Sequence, residues 1–182
     1  MFAEGLWTFV VTRPAPLAVL AAVLAIAWPL GHRLAARHDC RPAVAVLFVI
    51  EVGVILALTM TPNPPPPPDV PIYPHYLTQL GNPHLVWSQL TGAPGSIEQL
   101  ANIALYVPLG VLGWYMWRSA ARSAVFGVAL TVFIETCQYG IAGRGGSLTD
   151  IRNNAAGAVL GALLAAAFAR AAEEQRHAGP PG

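Results

Sequence analysis

Three apolar stretches of this chain each carry polar residues at helical spacing. Asn102 and Tyr106 are four apart, Glu135 and Gln138 three apart, and Asp150 and Asn154 four apart. Residues so spaced share one face of a helix. Arg144 lies in the run Gly143-Arg144-Gly145-Gly146, between the second stretch and the third. A polar or ionisable group inside an apolar helix is costly and marks a functional site by default. Two chemistries fit the set. Glu135 or Asp150 can act as general acid or base while Arg144 stabilises an oxyanion. Alternatively, Arg144 and Arg152, flanking a helix N-terminus, take the phosphate or carboxylate of a ligand. Glycines at 143, 145 and 146 would then let the backbone approach that ligand. A packing network of three helices, with arginines snorkelling to the interface, gives the same pattern.

Neighbouring residues have structural readings. Ser147 and Asp150 have the spacing of a capping box, which places Ser147 at the N-cap of the last helix and Asp150 at N3. Gly157 and Gly161 share the face of Asn154 and permit close helix approach. Pro108 lacks an N–H and is expected to kink its helix, with Gly110 close by. Ser147 has no adjacent base to make it a nucleophile. No Cys/His grouping has metal-site spacing, so neither a metal nor a cofactor is expected. Cys40 and Cys137 fall near opposite membrane faces in the topology below, too far apart for a disulfide.

These residues need elements to hold them. The chain has 182 residues, 55% hydrophobic and 10% charged, with mean hydropathy +0.53. Soluble chains are roughly 25% charged, and disorder requires low hydrophobicity. An integral membrane protein remains. A formal net charge of +1 provides no basic field for nucleic acid. A spanning helix needs about 20 apolar residues, and segments 15–34, 43–60, 99–117, 124–141 and 151–169 qualify. The expected fold is all-α, a polytopic membrane bundle of about five transmembrane helices.

Arginine bias orients it. Arg33, Arg37, Arg41, Arg118, Arg122, Arg170 and Arg176 collect on one side; Arg13, Arg144 and Arg152 lie on the other. Cytoplasmic loops gather such residues, so the N-terminus is expected outside and the C-terminus in the cytoplasm. Glu135, eleven residues beyond Ala124, then lies about 16 Å along its helix, in the outer half. Asn102, Glu135, Gln138, Arg144, Asp150 and Asn154 all reach that outer face. Ala25-Ile26-Ala27 has the form of a signal-cleavage site. Yet one Arg precedes the first segment and three follow, so a retained helix is expected. The outer connection 61–97 has no Lys or Arg. Its run Pro64 to Pro68 is expected to be a stiff polyproline spacer, with His75, His84 and Trp87 as interfacial anchors. Residues 173–182 are expected to fray.

The words Asn102-Ile-Ala-Leu-Tyr-Val-Pro108-Leu-Gly110, Glu135-x-x-Gln138, Arg144 and Asp150-x-x-x-Asn154-x-x-Gly157-x-x-x-Gly161 stand in this order. The arrangement resembles the N-x5-P-L-G, E-x2-Q and R…D-x3-N-x2-G signature of the VanZ-like family, named for a bacterial protein associated with teicoplanin resistance. The resemblance covers roughly residues 44–168. It implies a four-helix membrane domain at 43–169 with an extracellular Pro-rich loop at 61–97. An added helix and cytoplasmic loop at 1–42 precede that domain, and a cytoplasmic tail at 170–182 follows. It also implies a multi-pass protein of the bacterial cytoplasmic membrane with an envelope role, affecting access of glycopeptides such as teicoplanin. Many members carry an Asp three residues after the Arg, where this chain has Ser147. An Asp pair for a metal is therefore incomplete here, and the resemblance supplies no reaction.

Three functions compete. The first is binding of an anionic envelope lipid, lipid carrier or cell-wall precursor headgroup by Asn102, Glu135, Gln138, Arg144, Asp150 and Asn154, with Pro108, Gly110, Gly157 and Gly161 as structural supports. The second is an intramembrane enzyme using Glu135 and Asp150. The third is a small-solute transporter with Glu51, nine residues into the second segment, as a proton-coupling group.

Overall fold

The computed structural model describes residues 14–62, 75–141 and 144–177. Helices α1 (Pro14–His38) and α2 (Pro42–Thr59) form a first hairpin. Two short helices follow, α3 (Tyr76–Gln79) and α4 (Pro83–Thr91). Helices α5 (Ile97–Trp117), α6 (Ala120–Cys137) and α7 (Leu148–His177) complete the chain, with a 3-10 turn at Gln138–Gly140. No strand occurs among the described residues. Five helices, α1, α2, α5, α6 and α7, are long and apolar enough to cross a membrane. Large apolar side chains such as Trp28, Val125, Phe133 and Phe168 are exposed around them, as a lipid-facing surface requires. The chain is an all-helical membrane protein.

Local signals set the helix ends. Ser96 and Ser119 cap α5 and α6, their Oγ atoms accepting from Gln99 N–H at 3.2 Å and Arg122 N–H at 3.3 Å. Between these helices Arg118 adopts φ 51°, and its guanidinium lies 4.9 Å from the Trp114 ring centre. This tight turn makes α5 and α6 antiparallel.

The packing of α5 on α7 is a seam of small residues. A Cβ on Gly110 would fall on the carbonyl oxygen of Ala158. One on Gly157 would fall on that of Ile103, and one on Gly161 on that of Val107. The two backbones therefore touch, which only glycine allows. Helix α5 runs unbroken through Pro108. Helix α6 joins the seam where Gly127 meets Ala158, and Ser123 Oγ donates to the Gly110 carbonyl at 2.7 Å. Phe48 of α2 reaches the core beside Trp117 and Phe126, with ring centres 5.3 and 5.2 Å away. Helix α1 packs on α2 where Gly31 meets Val46 and Gly53 meets Val23.

Alternation of the five long helices gathers Arg33, Arg37, Arg41, Arg118, Arg122, Arg170 and Arg176 near one end of the bundle. The other end, built by the end of α2, residues 75–96 and the α6–α7 connection, is the polar end. Two expectations change. The connection 61–97, for which no helix was expected, contains α3 and α4. Asn82 Oδ1 caps α4 by accepting from Leu85 N–H at 3.1 Å, and Pro83 starts the helix. The C-terminal segment does not fray at 173: α7 continues to His177 through Ala171, Ala172, Glu173, Glu174, Gln175 and Arg176. These are mostly strong helix formers. Arg13, Pro64 to Pro68, Gly143 and residues 178–182 lie outside the described residues.

Candidate functional site

Helix α5 brings Asn102 and Tyr106 to the polar end, α6 brings Thr131 and Glu135, and α7 brings Asp150, Asn153 and Asn154. Asn102 Nδ2 donates to Asp150 Oδ1 at 2.9 Å. Ser147 Oγ accepts from Asp150 N–H at 3.3 Å, so Ser147 is the N-cap of α7. The returning half of the capping box is different from the one expected. Ser147 N–H donates to Glu135 Oε2 at 2.8 Å, while the Asp150 carboxylate faces α5. The physical reason is the partly buried amide of Asn102, which takes a charged acceptor in preference to none.

Glu135 is 2% exposed, with Asp150 and Arg144 within electrostatic reach. Arg144 does not meet Asp150; it turns toward α2. Its Nε donates to the Thr61 carbonyl at 3.0 Å and its Nη2 to the Leu58 carbonyl at 2.6 Å. Gln138 Nε2 donates to the Thr59 carbonyl at 3.0 Å. Leu58 and Thr59 carry last-turn carbonyls of a helix that ends at Thr59, and such carbonyls have no intrahelical partner. A cation at that end also opposes the helix dipole. Arg144 and Gln138 thus fasten α2 to the α6–α7 connection. Arg152 is likewise engaged: Nη1 donates to the Gln89 carbonyl at 2.8 Å, while Nε and Nη2 donate to Asn153 Oδ1 at 3.1 and 2.9 Å. It ties α4 to α7.

Deeper in the bundle, Asn154 Nδ2 donates to Thr131 Oγ1 at 3.0 Å, fully buried. Tyr106 is 0% exposed and packs over Gly157. Its hydroxyl makes no hydrogen bond of good geometry, although Thr131, Glu135 and Asp150 are its polar neighbours. Asn153 Nδ2 and Asn154 Oδ1 are also buried without a partner among the described residues. Leaving such a group unpaired costs about 1–3 kcal/mol, so three in one small region is an unusual concentration. Glu51, seven residues before Leu58 on α2, stands about 10 Å deeper along that helix and outside this cluster.

The connection between α2 and α5 closes over the polar end. His75 is not an interfacial anchor but is buried, with Nε2 2.8 Å from the Glu135 carbonyl oxygen. Tyr76 N–H donates to the Gly146 carbonyl at 2.9 Å, and the Tyr76 and Thr136 hydroxyls are 2.8 Å apart. Gly146 permits this approach, since a Cβ there would strike the Glu135 carbonyl and the His75 ring. His84 and Trp87 remain exposed.

Sequence reasoning omitted His75, Thr131 and Asn153 from the site and noted Tyr106 only for its spacing. Thr131 was within reach, four residues before Glu135 and so on its face. His75 carried no such signal, because a loop residue's docking partner is not periodic.

A search of curated proteins and one of solved structures each gave no match. The family model described as VanZ/LLP1 matches residues 48–169, about two thirds of the chain, from within α2 through most of α7. All the residues of the polar cluster on α5, α6 and α7 fall inside that span, and α1 lies before it. The chain belongs to the VanZ/LLP1 family.

Proposed function

We propose that the polar end binds the headgroup of an anionic envelope lipid or lipid-linked cell-wall precursor, in the bacterial cytoplasmic membrane. One observation carries this reading. Among the described residues Asn153 Nδ2 and Asn154 Oδ1 are buried without a partner, and the buried Tyr106 hydroxyl, beside Thr131 and within electrostatic reach of Glu135, makes no hydrogen bond of good geometry. They offer donors and acceptors that a headgroup's hydroxyl, amide or phosphate oxygens would satisfy. Arg152 is held at the rim by the Gln89 carbonyl and the Asn153 amide oxygen, and a guanidinium suits a phosphate or carboxylate. The arginine asymmetry supports an outward-facing site with a cytoplasmic C-terminus. An effect on glycopeptide susceptibility follows if the bound lipid is a cell-wall precursor.

Native mass spectrometry of the protein purified from membranes tests this. The expected result is a stoichiometric lipid adduct that is weakened in Tyr106→Phe and lost in Asn154→Ala, with helical content unchanged. Absence of any adduct, or one equally retained by both variants, would refute binding at this site. Chemical turnover of the lipid would point instead to an enzyme, and solute flux in proteoliposomes to a transporter.

A further inference from the structure

We propose that His75 is a proton-operated latch that holds residues 75–91 closed over the polar end. These residues form a roof that is fastened, among the described residues, at two sides. At one side His75 and Tyr76 dock onto Glu135, Gly146 and Thr136. At the other, Arg152 holds the Gln89 carbonyl. The roof is also tied to itself, Gln89 Nε2 donating to Gln79 Oε1 at 2.6 Å.

The bonds of His75 fix its protonation state. Nδ1 accepts from the Leu77 N–H at 3.2 Å, so it carries no hydrogen. Nε2 faces a carbonyl oxygen at 2.8 Å, which only an N–H can satisfy. The latch therefore requires the neutral ring with its hydrogen on Nε2. A second proton would land on Nδ1 and set one N–H against another. Helix α3 would lose the acceptor at its start, and the ring would have to turn away from Leu77. The Glu135 contact and the Tyr76–Gly146 bond depend on the same placement.

The groups that face His75 come from several elements. From α6 comes Glu135, whose carbonyl oxygen faces Nε2 and whose carboxylate is held by the Ser147 N–H. From the α6–α7 connection comes Gly146, beside the ring, while the Arg144 guanidinium donates to the Thr61 and Leu58 carbonyls. Tyr139 of the 3-10 turn lies edge-on with its ring centre 5.1 Å away, and Tyr76 lies 4.7 Å away. Acidification on the side that carries the polar end opens the roof. Neutral conditions close it.

This inference does not depend on any ligand, so it can fail or hold separately from the headgroup reading. Hydrogen–deuterium exchange of residues 75–80 in nanodiscs, corrected for intrinsic rates, is to be followed from about pH 8 to about pH 5, the range of imidazole charging. The expected result is about a tenfold rise in opening of the Tyr76 and Leu77 amides on acidification, the scale of one lost hydrogen-bonding arrangement. Helix α5 should stay protected throughout. His75→Gln keeps a donor for Glu135, and His75→Asn keeps an acceptor for Leu77. Neither side chain titrates, so each variant should show no pH-dependent change in opening. An unchanged wild-type profile would overturn the latch. So would a rise that persists in both variants, because another group would then be responsible.

Discussion

The carboxylate of Glu135 holds the backbone N–H of Ser147 at 2.8 Å, so α7 is capped in part from α6. Glu135→Gln keeps an acceptor for that N–H and should change the unfolding free energy by less than about 1 kcal/mol. Glu135→Ala leaves the N–H without its acceptor and should cost about 1–3 kcal/mol. Thermal unfolding in detergent checks both. Equal loss in the two variants would mean that the charge, rather than the bond, holds the connection.

Asn102 and Asp150 form one unit across α5 and α7. A double-mutant cycle on Asn102→Ala and Asp150→Ala should return a coupling of about 1 kcal/mol. Arg144→Gln and Asp150→Asn should instead be additive, because Arg144 is fastened to α2 and Asp150 to α5. Additivity in the first pair, or strong coupling in the second, would contradict the geometry.

Gly157→Leu should lower the amount of folded protein. Its side chain would be driven into the Ile103 carbonyl and the Tyr106 side chain, an overpacking worth at least about 1–3 kcal/mol. Gel-filtration profile and melting temperature in detergent report the loss. A variant as stable as the wild type would mean that α5 and α7 can separate freely.

Much of this arrangement was legible in the residues, for physical reasons. Apolar runs of nearly 20 residues with at most one charge each are long enough to span a membrane, and the pairs Asn102/Tyr106 and Asp150/Asn154 fix helix faces by periodicity alone. What periodicity cannot give is direction between helices. Asp150 had a local capping partner in the sequence and a distant amide partner in the structure, and the distant one prevailed. Nothing local identifies the carbonyls of Leu58 and Thr61 as acceptors for Arg144. The docking of His75 depends on Gly146 having no side chain, a relation between residues seventy-one positions apart.

Orientation is testable directly. With Cys40 and Cys137 replaced by Ser, His84→Cys should react with an impermeant thiol reagent on intact cells, and Ala121→Cys only after lysis. Both positions are exposed, at opposite ends of the bundle. The opposite labelling would turn the polar end toward the cytoplasm and remove the envelope headgroup from consideration.

Cys40 lies between α1 and α2 and is a free thiol. Burial, with a smaller contribution from Asp39, raises its pKa above the ordinary thiol value. Less thiolate exists at any given pH, and the thiolate is the reactive form. Alkylation in detergent should therefore be slower than for an exposed cysteine near neutrality and accelerate as pH rises beyond the usual thiol range. Asp39→Asn should shift that acceleration to lower pH. A rate independent of pH would contradict this assignment.

Helices α2 and α6 each have 18 residues, about 27 Å at the α-helical rise. Helix α7 has 30 residues, about 45 Å. With its 3-10 turn the apolar span that includes α6 reaches Gly140, 21 residues in all, so α2 is the shortest span across a hydrocarbon layer of about 30 Å. A short span is accommodated by local thinning of the bilayer or by snorkelling of flanking residues, a long one by tilting. The end of α2, where Gln138 and Arg144 are attached, is therefore the place at which a thicker bilayer would bear on the polar end.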